Sequence, residues 1–223
     1  MSSSRARRAV LVALASALGG CRTAAQSVRA SECALPPGDE LVDVRRVDRT
    51  IRADVRYATD DNFTGRRLPG YERPRAMLRP AAAAALGRVQ ARLRTEGLGL
   101  KVFDAYRPIR ATQAMVEWAG RTGNRWVLEQ GYVARYSGHN RGNTVDLTLV
   151  ELRSGRELPM GTPFDTFSEA AHTMNATGAV LENRMRLKRA MESEGFQNYD
   201  KEWWHYRMAG DPPALDVPLG CFP

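Results

Sequence analysis

Along "TIRADVRYAT", residues 50–59, Ile51, Ala53, Val55 and Tyr57 alternate with Arg52, Asp54 and Arg56. A period of two predicts a half-buried strand ending at Tyr57. "DNFTG" and "LPGYERP" break the pattern and read as loop. Pro80 then opens an alanine-rich stretch that stops at Gly97, the proline-in, glycine-out signature of a helix. "LKVFDAY" predicts a short strand ended by Arg107-Pro108, and "IRATQAMVEWAG" a helix. "SGHNRGNTVDLTLVEL" predicts a loop running into a strand with Val145, Leu147 and Leu149 on one side. After the loop "LPMGTPFDTF" comes the amphipathic "GAVLENRMRLKRAMESEGF", a helix closed by Gly195. The aromatic-rich "NYDKEWWHYRM" predicts a final strand. Strands and helices alternate without regular βαβ spacing. The expected fold is therefore α+β, a single domain with a mainly antiparallel central sheet flanked by helices.

The first twenty residues follow another pattern. "MSSSRARR" is basic, "AVLVALASAL" is apolar but too short to span a bilayer, and "LGGC" places two small residues before Cys21. This layout predicts a signal peptide of lipoprotein type over residues 1–20, with lipid on Cys21 as the only membrane attachment. Ordinary signal cleavage is the plainer alternative. Residues 21–40 read as a tether, and 41–223 as the functional domain. The expected location is the periplasm or the bacterial cell envelope. Export permits disulfides, and Cys33 and Cys221 are placed to join the ends of the domain.

Composition adds limits. With 26% charged and 43% hydrophobic residues the chain is globular. The net charge of +8 falls by three to +5 without residues 1–20. The arginines lie scattered among acids, which excludes a nucleic-acid patch.

The candidate chemistry rests on two of the three histidines. His139 lies in "SGHNRGNTVD", seven residues before Asp146, and His205 closes "EWWH". Two imidazoles and a carboxylate can hold a catalytic zinc with a fourth position open. Glu202, near such a site but not bound to the metal, is placed to take a proton from water. The blander alternative pairs Asp146 with His139 in the core and leaves His205 among aromatics. His172, in "EAAHTMN", reads as structural in an expected helical stretch. In a regular strand Glu202 and His205 face opposite sides, so the metal reading requires a bend near Trp203, with both tryptophans walling the pocket.

"SGHNRGNTVDLTL", "EWWHY" and "DAYRP" together resemble the zinc D-alanyl-D-alanine dipeptidases of the VanX family. "RYATDDNFTG", "MGTPFD" and "NRMRLKRAMESEGF" match the same family in the same order. The resemblance implies one zinc per chain on His139, Asp146 and His205, with Glu202 as general base. It implies that Arg107 steadies charge on the scissile carbonyl, and that Tyr57, Ser137 and Asp165 contact a small dipeptide, D-Ala-D-Ala. Asp165 would pair the free ammonium. Residue by residue, plainer roles stay open: a surface ion pair for Arg107, a helix cap for Asp165, a turn for Ser137 and core for Tyr57. Asn140 and Asn143-Thr144 depart from the family's usual ligand loop. Two other functions also remain open: a carboxypeptidase or endopeptidase acting on peptidoglycan stems, or a lipoprotein that binds cell-wall peptide without cutting it.

Overall fold

The computed structural model describes residues 31–222. The expected signal, Cys21 and most of the expected tether lie outside these residues. The chain divides after Ala34, and the fold below is that of the unit from Leu35 onward. Residues 35–40, expected as tether, already pack on this unit: Asp39 is buried and pairs with Arg79 at 2.6 Å. Cys33 and Cys221 are both disulfide-bonded. Among the described residues no helix is long and apolar enough to cross a membrane.

The centre is a five-stranded sheet in the order β2-β4-β5-β7-β6. Its strands are β2 (Arg52–Ala53), β4 (Leu98–Asp104), β5 (Thr144–Glu151), β6 (Phe196–Asn198) and β7 (His205–Met208). Only the edge pair β2–β4 is parallel; the other three pairs are antiparallel. A separate ribbon pairs β1 (Val42–Asp43) with β3 (Met77–Leu78). The main helices are α1 (Pro80–Arg94), α2 (Ile109–Arg121) and α3 (Gly178–Glu192). α1 buries Leu86, Val89 and Leu93, and α3 buries Leu187 and Met191, in the core shared with β4 and β5.

Register decides which side chains meet. Val145, Leu147 and Leu149 are fully buried on one face of β5, which turns Asp146 to the other. Asp146 stands opposite His205 on β7, and opposite Asp104 on β4. The β4 pairing shifts between Val102 and Asp104, so β4 carries one residue more than β5 there. This bulge re-aims the strand end: without it Phe103, and not Asp104, would face Asp146. Asp104, Asp146 and His205 therefore form one row across three adjacent strands.

Three expected elements differ. The strand through Tyr57 ends at Ala53, and Tyr57 lies in a short 3-10 turn, Arg56–Ala58. There its ring is buried against Phe63, Tyr71 and Phe164, an aromatic cluster that outweighs the alternation of the sequence. "NYDKEWWHYRM" is a hairpin rather than one strand: β6 and β7 pair, and the residues between them turn. The stretch around His172 is a 3-10 turn, Glu169–Ala171, followed by extended backbone.

Candidate active site

The hairpin answers how Glu202 and His205 share a side. His205 N–H donates to the Glu202 carbonyl at 3.2 Å, closing a turn over Trp203 and Trp204. Glu202 thus precedes the strand, and His205 is its first residue. Glu202 Oε2 lies 3.6 Å from His205 Nδ1. Trp204 lines the cavity. Trp203, expected beside it on the wall, points elsewhere, and its indole N–H donates to Thr162 Oγ1 at 2.9 Å.

His139 comes from a 3-10 turn, Gly138–Arg141, built by its own sequence. Ser137 caps it, accepting from His139 N–H at 3.3 Å, while Asn140 Oδ1 accepts from Ser137 N–H at 3.2 Å. Gly142 ends the turn at φ 72°, left-handed backbone that favours glycine. Asn140 Nδ2 also donates to the Arg107 carbonyl at 2.8 Å, and Arg107 N–H donates to the His139 carbonyl at 3.1 Å. Asn140 thus fastens the His139 turn to the Arg107 loop.

His139 Nδ1 lies 2.6 Å from the Ala105 carbonyl, which can only accept. Nδ1 therefore carries a proton, which leaves Nε2 as the nitrogen available to a metal. Nε2 is 3.2 Å from Asp146 Oδ2 and 3.3 Å from His205 Nδ1, which is 2.9 Å from Asp146 Oδ1. One donor atom from each of the three residues lies within 4.8 Å of the others. Burial pushes the His205 pKa down and outweighs the pull of Asp146, so the ring stays neutral. Burial would push the Asp146 carboxyl up, but His139 and His205 prevail and hold it below the usual carboxylate range. An ionised carboxylate beside a neutral His205 ring is the binding form of these two metal ligands. The set fits a tetrahedral zinc ion with an open position.

Arg107 is 8% exposed and is held by Asp104, which is fully buried. Its Nε and Nη2 donate to Asp104 Oδ2 at 2.9 and 2.8 Å, while Tyr71 O–H donates to Oδ1 at 2.6 Å. Among the described residues its Nη1 has only the Met115 thioether as acceptor, at 3.2 Å, a weak one that leaves a strong donor in reserve. The guanidinium stacks 5.0 Å from the Tyr57 ring centre. Removing Asp104 would leave this buried cation the longer pairing to Asp146, 3.9 Å from Nη2, and cost up to about 3–5 kcal/mol. Asp104 was not singled out in the sequence. The signal was there, a lone carboxylate ending an apolar strand three residues before Arg107, but its role needs the bulge to be seen.

Tyr57 O–H lies 3.0 Å from both oxygens of Asp165. Asp165 caps no helix. It is the one non-glycine with positive φ among the described residues, at 60°, and such strain gathers at functional sites. Burial, then the Asp146 charge, push its pKa up to about 8 against the Tyr57 hydrogen bond. Burial, then Asp146 and Asp165, also push Glu202 well above the usual range, only partly offset by Arg107. His172 sits apart from the donor set, with Nε2 3.2 Å from Tyr132 O–H.

All eight residues singled out in the sequence line one cavity of about 230 Å³. Phe63, Met115, Tyr132, Phe167 and Tyr199 also line it; single aromatic or apolar side chains gave no warning of this. Residues 38–223 match the model of the Peptidase_M15 family, described as D-ala-D-ala dipeptidase. The chain belongs to the D-Ala-D-Ala dipeptidase family. A relative named D-alanyl-D-alanine dipeptidase from Enterococcus faecalis is 40% identical over 177 residues, covering 73% of this chain and 88% of its own. One of the same name from Streptomyces coelicolor is 40% identical over 177 residues, with the same coverage. The Escherichia coli dipeptidase is 34% identical over 187 residues, covering 82% and 93%. A solved vancomycin-resistance D,D-pentapeptidase in complex with Zn(II) aligns over 60% of this chain and 74% of its own, at TM-score 0.37 and 18% identity, too distant a likeness to carry fold or function. The dipeptidase family is thus matched across the whole span that builds the cavity.

Proposed function

We propose that this protein hydrolyses D-Ala-D-Ala outside the cytoplasm, using one zinc ion held by His139, Asp146 and His205. The observation that carries the reading is the meeting, in one small cavity, of that donor set, a buried carboxylate and a buried guanidinium. Zinc, when bound, polarises the scissile carbonyl and lowers the pKa of a coordinated water to about 7.

The chain's own groups supply the rest. Glu202 accepts the proton of the attacking water and passes it to the leaving amine. Its enclosed position, which pushes its pKa up, makes it a stronger base than an exposed carboxylate once ionised. Arg107 Nη1, with only a thioether to satisfy it, donates to the oxygen on which charge develops. Asp165 accepts from the substrate ammonium, sharing it with Tyr57. Ser137 accepts from a backbone N–H, and its hydroxyl proton remains for the substrate. Phe63, Phe167 and Trp204 keep water from the reacting atoms, which strengthens each polar contact. A cavity of about 230 Å³ is below the roughly 300–1,000 Å³ of drug-sized sites, which favours a dipeptide over a peptidoglycan stem, while a general base and a charge-stabilising cation favour cutting over binding alone.

The test is turnover of D-Ala-D-Ala, L-Ala-L-Ala and a stem pentapeptide by the purified protein, with and without chelator. Only the first should be cleaved, chelator should abolish cleavage and zinc should restore it. Equal cleavage of the pentapeptide, or activity that survives full metal removal, contradicts the reading. We further propose export through residues 1–20 with lipid on Cys21. Cys21→Ala should then move the protein to the soluble fraction; an intact mass without lipid contradicts this.

A further inference from the structure

"NRMRLKRAMESEGF" matches the family, yet none of its residues reaches the cavity. It does contain Arg184, a cation only 1% exposed that burial pushes toward losing its proton. No carboxylate pairs with it among the described residues. Its three nitrogens instead donate to three backbone carbonyls: Nε to Met160 at 2.8 Å, Nη1 to His172 at 2.7 Å and Nη2 to Ala170 at 2.9 Å. Its neighbour Asn183 donates to the Pro159 carbonyl at 3.0 Å. These carbonyls flank one loop at both ends, 159–160 and 170–172.

That loop carries Asp165 at its middle, in left-handed backbone. Phe164 stacks on Phe103 at 4.8 Å, and Phe167 lines the cavity. A loop whose ends are clamped has far fewer conformations than one pinned only at its tip. A buried charge without a partner charge is costly, so its retention here calls for a role. The planar fork suits this one, because a single ammonium cannot reach three diverging carbonyls.

We propose that Arg184 is a positioning residue for substrate selectivity: by fastening both ends of the 159–172 loop it holds the Asp165 carboxylate where a free ammonium meets it. This rests on the reading of Asp165 as the ammonium partner. Glu202 has its own supports, its N–H donating to the Tyr199 carbonyl and its carbonyl accepting from Asn198 Nδ2, both at 3.0 Å. Its neighbour Trp203 bonds the loop at Thr162 and at the Ala171 carbonyl. The two supports of Glu202 itself lie outside the loop, so loosening the loop acts on amine recognition more than on the chemical step.

The experiment measures kcat and KM for D-Ala-D-Ala and for N-acetyl-D-Ala-D-Ala in the parent protein, Arg184→Lys and Asp165→Asn, alongside zinc content. Arg184→Lys should keep one zinc per chain and kcat within about threefold, while KM for the free dipeptide rises about tenfold or more. Its preference for the free amine should narrow toward that of Asp165→Asn. A parent-like KM and preference in Arg184→Lys, with both lost in Asp165→Asn, overturns the role of Arg184 alone. An equal loss on both substrates reduces Arg184 to fold maintenance and also overturns it. A parent-like preference in Asp165→Asn sinks the ammonium reading, and this inference with it. If Arg184→Lys does not fold, Gly161→Ala addresses the clamp from the loop side. Its added Cβ would stand 2.8 Å from Val180 Cγ1 and 3.2 Å from Arg184 Nη2, at φ 83°, and so press the loop off the helix that carries Arg184; it should show the same narrowed preference, and a parent-like one overturns the proposal.

Discussion

Asp104, Asp146 and His205 sit in one row across three paired strands, whereas Asp165 sits in a loop, in left-handed backbone. The row is fixed by the ladder itself: a slip of one residue would turn Asp146 into the apolar core and bring Val145 and Leu147 out of it. The Asp165 loop has no ladder. Its geometry depends on one phenol, several aromatic contacts and a remote guanidinium. The difference teaches a division of labour. The groups we propose to hold metal and stabilise charge stand on or next to rigid strands, and the group we propose to select substrate stands on backbone that other side chains must restrain.

Breaking the donor set should have the largest effect. His139→Ala removes one of three donors, and we expect loss of both zinc and activity, to background in metal analysis and turnover. Full stoichiometric zinc in that variant would contradict the assignment. Next comes the cation beside the row. Arg107→Met keeps much of the stem's packing and removes the donor, so kcat should fall by about 10²- to 10³-fold, as for loss of an oxyanion donor, with zinc retained. A fall confined to KM would instead place Arg107 in ground-state binding.

The smallest effect probes the loop in the chelated protein. The Asp165 carboxyl is pushed from an ordinary 3.8 up to about 8, so the folded state holds this proton more tightly than the unfolded state. Its contribution to stability is therefore full below about pH 4 and is lost as pH rises to about 8. Glu202, also pushed up, acts in the same direction. Denaturant midpoints should decline over that window, and Asp165→Asn should flatten the decline in part. An unchanged slope in the variant would show that Asp165 is not held in this environment.

The ladder and the loop also differed in how they could be read. Alternation in "TVDLTLV" marked β5 and set Asp146 apart from its apolar neighbours, and the spacing of Glu202 and His205 called for the bend that the hairpin supplies. Tyr57 was placed in a strand because local alternation carries no word of a distant aromatic cluster. Asp104 was overlooked because a one-residue bulge, invisible in the periodicity of "LKVFDAY", turns it into the row. Nothing in the amphipathic pattern of its helix sets Arg184 apart; the carbonyls that explain its burial belong to a loop 12 to 24 residues earlier. Ser137 and Tyr57 show that the plainer roles need not compete with the functional ones, since each serves a turn or the core and also lines the cavity.

The most direct test of the account is Glu202→Gln, measured for zinc content, dipeptide binding and turnover together. The substitution keeps the shape of a side chain that lies 3.6 Å from His205 Nδ1 and removes its basicity. We predict one zinc per chain, near-parent binding of D-Ala-D-Ala, and turnover lower by about 10²- to 10⁴-fold. Hydrolysis at close to the parent rate, or protein that arrives without zinc, would contradict the assignment of Glu202 as the base.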